Sequence, residues 1–353
     1  MNNLDKYRSL LKEGEGLLLT SRYSRYYGCG CDIAEGMAVV GQNGCRYFTD
    51  SRYIEAAQKG ITGMAVIEMN RQNPYHELIN TACRELGITA LGVEDQYMTL
   101  SEFNGLREKL EAELTPMSDR INSFRSVKEE WELALMKKAQ HITDKTFTEI
   151  LTKIKVGMTE KELQAELIYL MYKNGGEGLS FDPIVVSGPN TSLPHGVATD
   201  RVIREGDFIT MDFGVYYKGY CSDMTRTVAV GFVTEEMETV YNTVLKAQCA
   251  AIAATKAGVT GADVDGVARA VITEAGYGPY FGHGYGHSLG MECHEMPSCS
   301  PSAKTPMEEN MVTSAEPGIY LSGKFGVRIE DVVIFTAEGC ENITQSPKNL
   351  III

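Results

Sequence analysis

Residues 211–227 decide the fold, and they read MDFGVYYKGYCSDMTRT. Before the Lys218-Gly219 pair the side chains alternate between apolar and polar, a period of two that is typical of a strand with one buried face. A turn at that pair predicts a hairpin in which Asp212 lies opposite Thr225 and on the same face as Asp223. Two neighbouring carboxylates repel each other unless a cation lies between them. The hairpin alone leaves two interpretations open, a metal site or two exposed aspartates beside a turn.

A second hairpin is predicted over residues 314–335, with its turn near Ser322-Gly323-Lys324. Glu316 stands at its start, before a proline that favours extended backbone. In residues 326–330 the apolar side chains alternate with Arg328 and Glu330, which therefore share a face. We expect the four carboxylates of the two hairpins to converge, with Arg328 nearby.

The two hairpins belong to an internal repeat with an offset of about 100 residues. The segments GMT at 157–159, PHG at 194–196 and DFGVY at 212–216 recur in the same order as GVT at 258–260, CHE at 293–295 and EPGIY at 316–320. Each match alone is weak, but three in order predict a duplicated unit of two helices plus strands. Two such units would face each other about a pseudo-twofold axis, and a site on that axis would take residues from both.

Four of the six histidines fall at positions 195, 283, 287 and 294. The stretch around His283 and His287 is glycine-rich, but it matches neither of the common phosphate-binding loop motifs. His287 and His294 would lie on opposite faces of a straight strand, and Gly290 allows the bend that brings them together. Any one of these histidines, taken alone, is more often structural than a ligand.

The remainder of the chain predicts an α/β (α+β) protein of two domains, at residues 1–122 and 123–353. The first domain alternates strands with helices at 76–86 and 100–114, and Asn43-Gly44 marks a hairpin. Capping boxes at Ser126/Glu129 and Thr159/Glu162 open helices in the second, and further helices are predicted at about 235–256 and 264–275.

Composition limits the partners and the compartment. The formal net charge of −14 disfavours nucleic acids and anionic membrane surfaces as partners. No apolar run reaches transmembrane length and the N-terminus is no signal peptide. Nine scattered cysteines, an odd number, predict free thiols in a cytoplasmic protein.

These motifs together resemble the pita-bread metallopeptidases, the group of methionine aminopeptidases, aminopeptidase P and prolidase. The resemblance runs from about Arg125 to the C-terminus, and residues 1–122 resemble the N-terminal creatinase-like domain of the same proteins, most clearly at 47–53. It implies a C-terminal pita-bread domain with an internal pseudo-twofold repeat. The DMTRT run and Arg328 are similar to the proline-specific branch.

The resemblance implies a metal-dependent exopeptidase that hydrolyses the Xaa-Pro bond at the N-terminus of a peptide, through a hydroxide bridging two divalent metals. Manganese is the expected metal, with cobalt, zinc or iron as alternatives, and the implied assembly is a homodimer. The implied metal ligands are Asp212, Asp223, His287, Glu316 and Glu330.

We also assign hypothetical roles in catalysis and substrate binding. Glu316 is the expected proton shuttle, and His195 and His294 are expected to bind substrate and stabilise the tetrahedral intermediate. His283 and Phe181 would shape the proline pocket. Arg328 would bind a substrate carboxylate or brace Glu330.

We expect an Xaa-Pro aminopeptidase first and an Xaa-Pro dipeptidase (prolidase) second. Ranked below them are a methionine aminopeptidase, a creatinase-like amidinohydrolase and a non-enzymatic pita-bread binding protein. The last is disfavoured because such proteins typically lose metal ligands, and all five are present here.

Overall fold

The computed structural model describes residues 3–353. The chain divides into two compact units, Met1–Arg125 and Ser126–Ile353. Within the described residues no helix is both long and apolar enough to cross a membrane. All nine cysteines are free.

The first unit is a six-stranded mixed sheet with helices, in the strand order β4-β3-β2-β1-β5-β6. Strands β2 and β3 form the predicted hairpin, with Gly41 paired to Gly44. The elements are α1 Leu4–Ser9, β1 Glu15–Leu19, α2 Arg22–Cys29, β2 Met37–Gly41, β3 Gly44–Thr49, α3 Ile54–Gly60, β4 Ala65–Glu68, α4 Tyr75–Leu86, β5 Ala90–Val93, α5 Leu100–Arg107, β6 Glu113–Pro116 and α6 Ser118–Ser126.

One helix prediction in this unit is wrong at its end. The helix predicted over 100–114 stops at Arg107, and Glu113–Pro116 is instead the parallel edge strand β6 beside β5. Asn80 fixes the connection, because its side chain donates to the Lys109 carbonyl and accepts from the Glu111 amide, both at 2.9 Å. These bonds from outside the segment replace the helical ones that the local sequence favours.

The second unit consists of four long helices against strongly bent hairpins. Its helices are α7 Glu130–Leu151, α8 Glu160–Lys173, α9 Glu235–Ala254 and α10 Gly261–Glu274. Its strands are β7 Gly178–Leu179, β8 Ile184–Ser187, β9 Phe208–Asp212, β10 Val215–Tyr217, β11 Tyr220–Cys221, β12 Thr225–Ala229, β13 Gly286–Ser288, β14 Glu295–Cys299, β15 Val312–Ala315, β16 Gly318–Leu321, β17 Phe325–Arg328, β18 Asp331–Phe335 and β19 Cys340–Asn342.

Helix α7 begins later than the sequence suggests. The predicted Ser126/Glu129 capping box is wrong, because the box is formed by Glu129 and Glu132, and Ser126 is the last residue of α6. A box on Ser126 would start the helix three residues earlier, where Val127 instead pairs with Met311 and the Lys128 amide donates to the Asn310 carbonyl. The Thr159/Glu162 box is present as predicted.

The duplication is visible in the packing. Buried apolar residues of α7 and α8 form one core cluster with the first hairpin, including Ile209, Met211, Phe213 and Val215. A second cluster joins α9 and α10 to the second hairpin. Each half therefore packs a helix pair against the hairpin that carries its carboxylates.

Candidate active site

The two hairpins bend at equivalent positions, and the acidic residues stand at the bends. At the first turn Lys218 and Gly219 both have positive φ, 46° and 88°, as a two-residue hairpin loop requires. Each arm of the hairpin is then interrupted, one between β9 and β10 and the other between β11 and β12. Beyond this interruption Asp212 pairs with Thr225, as predicted. The second hairpin repeats this pattern with breaks between β15 and β16 and between β17 and β18.

The bends turn four carboxylates towards one point between the halves. Asp212 ends β9 and Asp223 lies just before β12, while Glu316 follows β15 and Glu330 precedes β18. The Glu330 amide donates to the Thr225 carbonyl at 3.0 Å, which joins the two hairpins directly at the site.

A cleft of about 640 Å³ in the C-terminal unit opens over these carboxylates. Its lining includes every residue predicted for the site: Phe181, His195, Asp212, Asp223, His283, His287, His294, Glu316, Arg328 and Glu330. The structure thus brings together residues that are up to 149 positions apart in the chain, from 181 to 330.

Three of these residues are close enough to share one cation. Asp223, His287 and Glu330 each offer a ligand atom, and the three atoms lie within 4.8 Å of one another. His287 Nε2 is also 3.3 Å from Glu316 Oε1 and 3.6 Å from Asp223 Oδ2. An imidazole with several carboxylates is a donor set that suits first-row divalent metals.

The electrostatics of the cluster point to a bound cation. Burial, and then the neighbouring carboxylates, raise the pKa of Asp223 and of Glu330 well above the usual values. Burial also raises the pKa of Glu316 and lowers that of His287. Among the described residues, Asp212 Oδ1, Asp223 Oδ1 and Glu330 Oε1 are buried without a hydrogen-bond partner. Buried polar atoms are rarely left unpaired, so these oxygens fit metal ligation.

The other histidines line the wall of the cleft. The rings of His287 and His294 lie with centroids 4.0 Å apart and are tilted by 33°, which the bulge after His287 and the loop before β14 permit. His283 Nε2 lies 2.9 Å from the Tyr320 hydroxyl. His195 follows a short 3-10 helix, Gly188–Ser192, and faces the same cleft.

Arg328 is buried at the site and hydrogen-bonded to neighbouring side chains. It is only 4% exposed, and its Nη2 donates to Asp212 Oδ2 at 2.6 Å. Its Nε donates to the Thr225 hydroxyl at 3.0 Å, and that hydroxyl donates to Glu330 Oε2 at 2.7 Å. Arg328 therefore contacts one acidic residue directly and Glu330 through Thr225.

A buried ion pair fixes the strands behind the site. Arg226 Nη2 donates to Asp331 Oδ1 at 2.7 Å, and both side chains are almost fully buried. The Nη1 atom of Arg226 donates to the carbonyls of Thr225 and Glu330. The guanidinium thus holds the two backbone segments that present the carboxylates.

Several supporting residues were missed by the sequence reasoning. Thr225 orients Glu330, and Cys293 donates its thiol to Asp223 Oδ2 at 3.3 Å. Lys128 forms a buried pair at 3.1 Å with Glu295, the residue that follows His294. Thr225 had a signal, its predicted position opposite Asp212, and Cys293 stands in the CHE segment of the repeat, whereas no pattern marks Lys128.

Two protein-family models match the chain. Residues 134–337 match Metallopeptidase family M24, and residues 4–127 match the Creatinase/Prolidase N-terminal domain. A protein named Xaa-Pro dipeptidase from Pyrococcus horikoshii is 34% identical, over 96% of this chain and 94% of that one.

Two solved structures are similar over almost the whole chain. The Xaa-Pro dipeptidase from Bacillus anthracis superposes with a TM-score of 0.95 at 41% identity, covering 99% of each chain. The X-Pro aminopeptidase from Thermotoga maritima MSB8 gives 0.93 at 37% identity, covering 99% of this chain and 100% of that one. The predicted fold, a creatinase-like domain followed by a pita-bread domain, is confirmed. The chain belongs to metallopeptidase family M24, in its proline-specific branch.

Proposed function

We propose that the chain is an Xaa-Pro dipeptidase, which hydrolyses the bond between a first residue and a proline. The observation that carries this proposal is the set of unpartnered buried carboxylate oxygens beside His287 in a cleft also lined by three further histidines. The relatives named as Xaa-Pro dipeptidases support this alternative over the aminopeptidase that the sequence analysis put first.

We further propose that Asp212, Asp223, His287, Glu316 and Glu330 hold two divalent ions, with manganese as the expected metal. Four carboxylates and a neutral imidazole balance two double positive charges, which supports this count. Ions bound there would supply Lewis-acid activation of the attacking water and of the scissile carbonyl.

The side chains of the cleft would position the substrate and move its proton. Glu316 lines the cleft, and we assign it the transfer of a proton from water to the proline nitrogen, which becomes a secondary amine as the bond breaks. His195 and His294 line the cleft as donors for the oxygen of the tetrahedral intermediate. Phe181 and His283 would contact the proline ring.

The test is release of proline from Ala-Pro by the purified chain, measured by mass spectrometry after chelation and after manganese is added back. We expect hydrolysis only with metal, and none by the Asp223→Ala variant. Metal analysis should give about two ions per chain. Full activity of chelated protein, or hydrolysis of Met-Ala or creatine in place of Ala-Pro, would refute the proposal.

A further inference from the structure

The first unit contains a cavity of about 350 Å³ that shares no residue with the cleft of the candidate active site. Thr20 and Ser21 line it directly after β1, and Tyr97 and Met98 line it shortly after β5. Strands β1 and β5 are adjacent and parallel, and the chain leaves β1 for β2 on one side of this pair and leaves β5 for β6 on the other side. In open α/β sheets, ligands bind in the crevice at such a reversal of strand order, outside the carboxyl ends of the strands. The cavity therefore lies where the topology of the sheet predicts a ligand site.

Much of the cavity wall is apolar or aromatic. The lining includes the side chains of Met37, Met98 and Leu106 and the rings of Tyr75 and Tyr97. Methionine side chains adapt to irregular apolar shapes, and tyrosine rings present a large apolar face. The cavity volume lies at the lower end of the range for small-ligand sites, roughly 300–1,000 Å³. Such a wall favours a ligand with apolar side chains over a small inorganic anion.

One end of the cavity is cationic. Lys109 and His76 meet there, because Asn80 donates to the Lys109 carbonyl at 2.9 Å and His76 stands one turn before Asn80 on the same face of α4. Pro74, the N-cap of α4, makes no side-chain hydrogen bond to the first amides, and a helix N-terminus favours negative charge. His76 Nε2 lies 3.5 Å from Glu77 Oε1, whereas the exposed Lys109 ammonium makes no hydrogen bond or ion pair within residues 3–353. Lys109 is therefore available to a ligand carboxylate.

An acidic side chain stands at the other end of the cavity. Glu102 on α5 precedes Lys109 by seven residues, and Gly105 and Leu106 line the same face between them. The Lys109 amide donates to the Leu106 carbonyl at 3.0 Å, which continues the last turn, so the two charged residues lie about 10 Å apart along the helix. Glu102 Oε2 accepts from the Thr99 amide and hydroxyl, both at 2.8 Å. Glu102 Oε1 remains open to a ligand ammonium.

We propose that this cavity binds a short peptide with free termini, about three residues long and with apolar side chains. An extended tripeptide places its ammonium and its carboxylate about 10 Å apart, which matches the spacing of Glu102 and Lys109. Its side chains would pack against the methionine and tyrosine wall. A single amino acid carries both charges on one carbon atom and cannot reach both ends. The site lies in the first unit and does not depend on the hydrolysis proposed for the second.

The experiment is calorimetric titration of the full chain, with manganese, with Leu-Ala-Leu, whose second residue is not proline. We expect saturable binding, and N-acetyl-Leu-Ala-Leu-amide should bind about tenfold more weakly because both charges are removed. Lys109→Gln and Glu102→Gln should each raise the Kd by about three- to tenfold, and glutamine keeps the capping box with Thr99. Lys12→Gln is the matched control, because Lys12 is an exposed lysine of the same unit outside the lining, and its Kd should stay within about twofold of the wild type.

Two helical glycines give a second, steric test. Gly105 lines the cavity, and a Cβ atom added there meets nothing within 4 Å. Gly105→Phe therefore adds a ring to the cavity wall without a clash at its Cβ, and it should remove binding. Gly266→Phe on α10 is the control, because its added Cβ is equally free and the residue lies outside the lining. It should bind the peptide as the wild type does.

The outcomes separate this site from the catalytic cleft. The inference is overturned if the wild type shows no saturable binding, or if Gly105→Phe or the blocked peptide shows the wild-type affinity. Binding that is lost in Asp223→Ala and kept in Gly105→Phe would place the peptide in the catalytic cleft and overturn it as well. Release of proline from Ala-Pro by Gly105→Phe shows that this variant is folded and is read independently of peptide binding. If Gly105→Phe does not fold, Lys109→Gln and Glu102→Gln decide.

Discussion

Replacing Thr225 with valine tests whether the site depends on the hydroxyl behind Glu330. Thr225 is fully buried, and its hydroxyl donates to Glu330 Oε2 at 2.7 Å while Glu330 Oε1 has no partner. Valine keeps the shape and removes the hydroxyl, so Glu330 loses a donor and Arg328 Nε loses its acceptor, and the carboxylate is no longer oriented. A hydrogen bond to a charged group contributes about 1.5–3 kcal/mol, and loss of a group that orients a metal ligand typically costs about 10–100-fold in affinity.

The assay is calorimetric titration of chelated Thr225→Val with manganese. We expect the Kd to rise by about 10–100-fold. Thr227→Val is the matched control, since Thr227 is equally buried on the same strand but its hydroxyl donates to the Arg328 carbonyl at 3.0 Å and contacts no predicted ligand. A Kd within about twofold of the wild type, or an equal loss in both variants, would refute the reasoning.

Three further predictions concern the pH, a buried ion pair and a glycine. Burial and nearby carboxylates raise the pKa of Asp223 in the metal-free fold. The protonated form therefore stabilises that fold at low pH, and the stabilisation is lost as the pH rises through the raised pKa. Chelated protein should therefore have a lower melting temperature at about pH 8 than at pH 5.5, and Asp223→Asn should reduce this difference in melting temperature. An unchanged difference would contradict the assignment of the pH dependence to Asp223. Lys128→Met should lower the free energy of unfolding by about 3–5 kcal/mol, because it leaves Glu295 buried without its cation. A Lys128→Met/Glu295→Leu double variant should recover part of this loss, and chemical denaturation measures both. Gly214→Ala should abolish metal binding, because the added methyl group would collide with the Ser222 backbone at the bend of the hairpin; wild-type affinity by calorimetry would contradict this.

Local sequence patterns predicted most of the second unit, because the secondary structure that they favour is also the one that long-range packing requires there. The alternation around Met211 and Phe213 gave the buried face, and Lys218-Gly219 gave the turn and hence the register of Asp212 with Thr225. The repeat then related the two hairpins. The break in each arm was not predicted, although Gly214, where a side chain would collide with the Ser222 backbone, lies at the first of these breaks.

The failures lie where residues distant in sequence override local signals. The segment around Glu113 has the composition of a helix end, yet it completes a sheet by pairing with β5 and is held by Asn80. The buried pair of Lys128 and Glu295 joins positions 167 residues apart, so neither residue has a local signature. Distant pairing of this kind is decided by tertiary packing and not by propensity.

The clustering of four acidic side chains should affect how much of the protein accumulates in a cell. Without cations the repulsion among them opposes folding, so a metal that binds only the folded chain acts as a stabilising ligand. When metal is scarce, a larger share of newly made chains should be open to proteases. Metal supply would then set how much of the protein accumulates as well as how fast each molecule works.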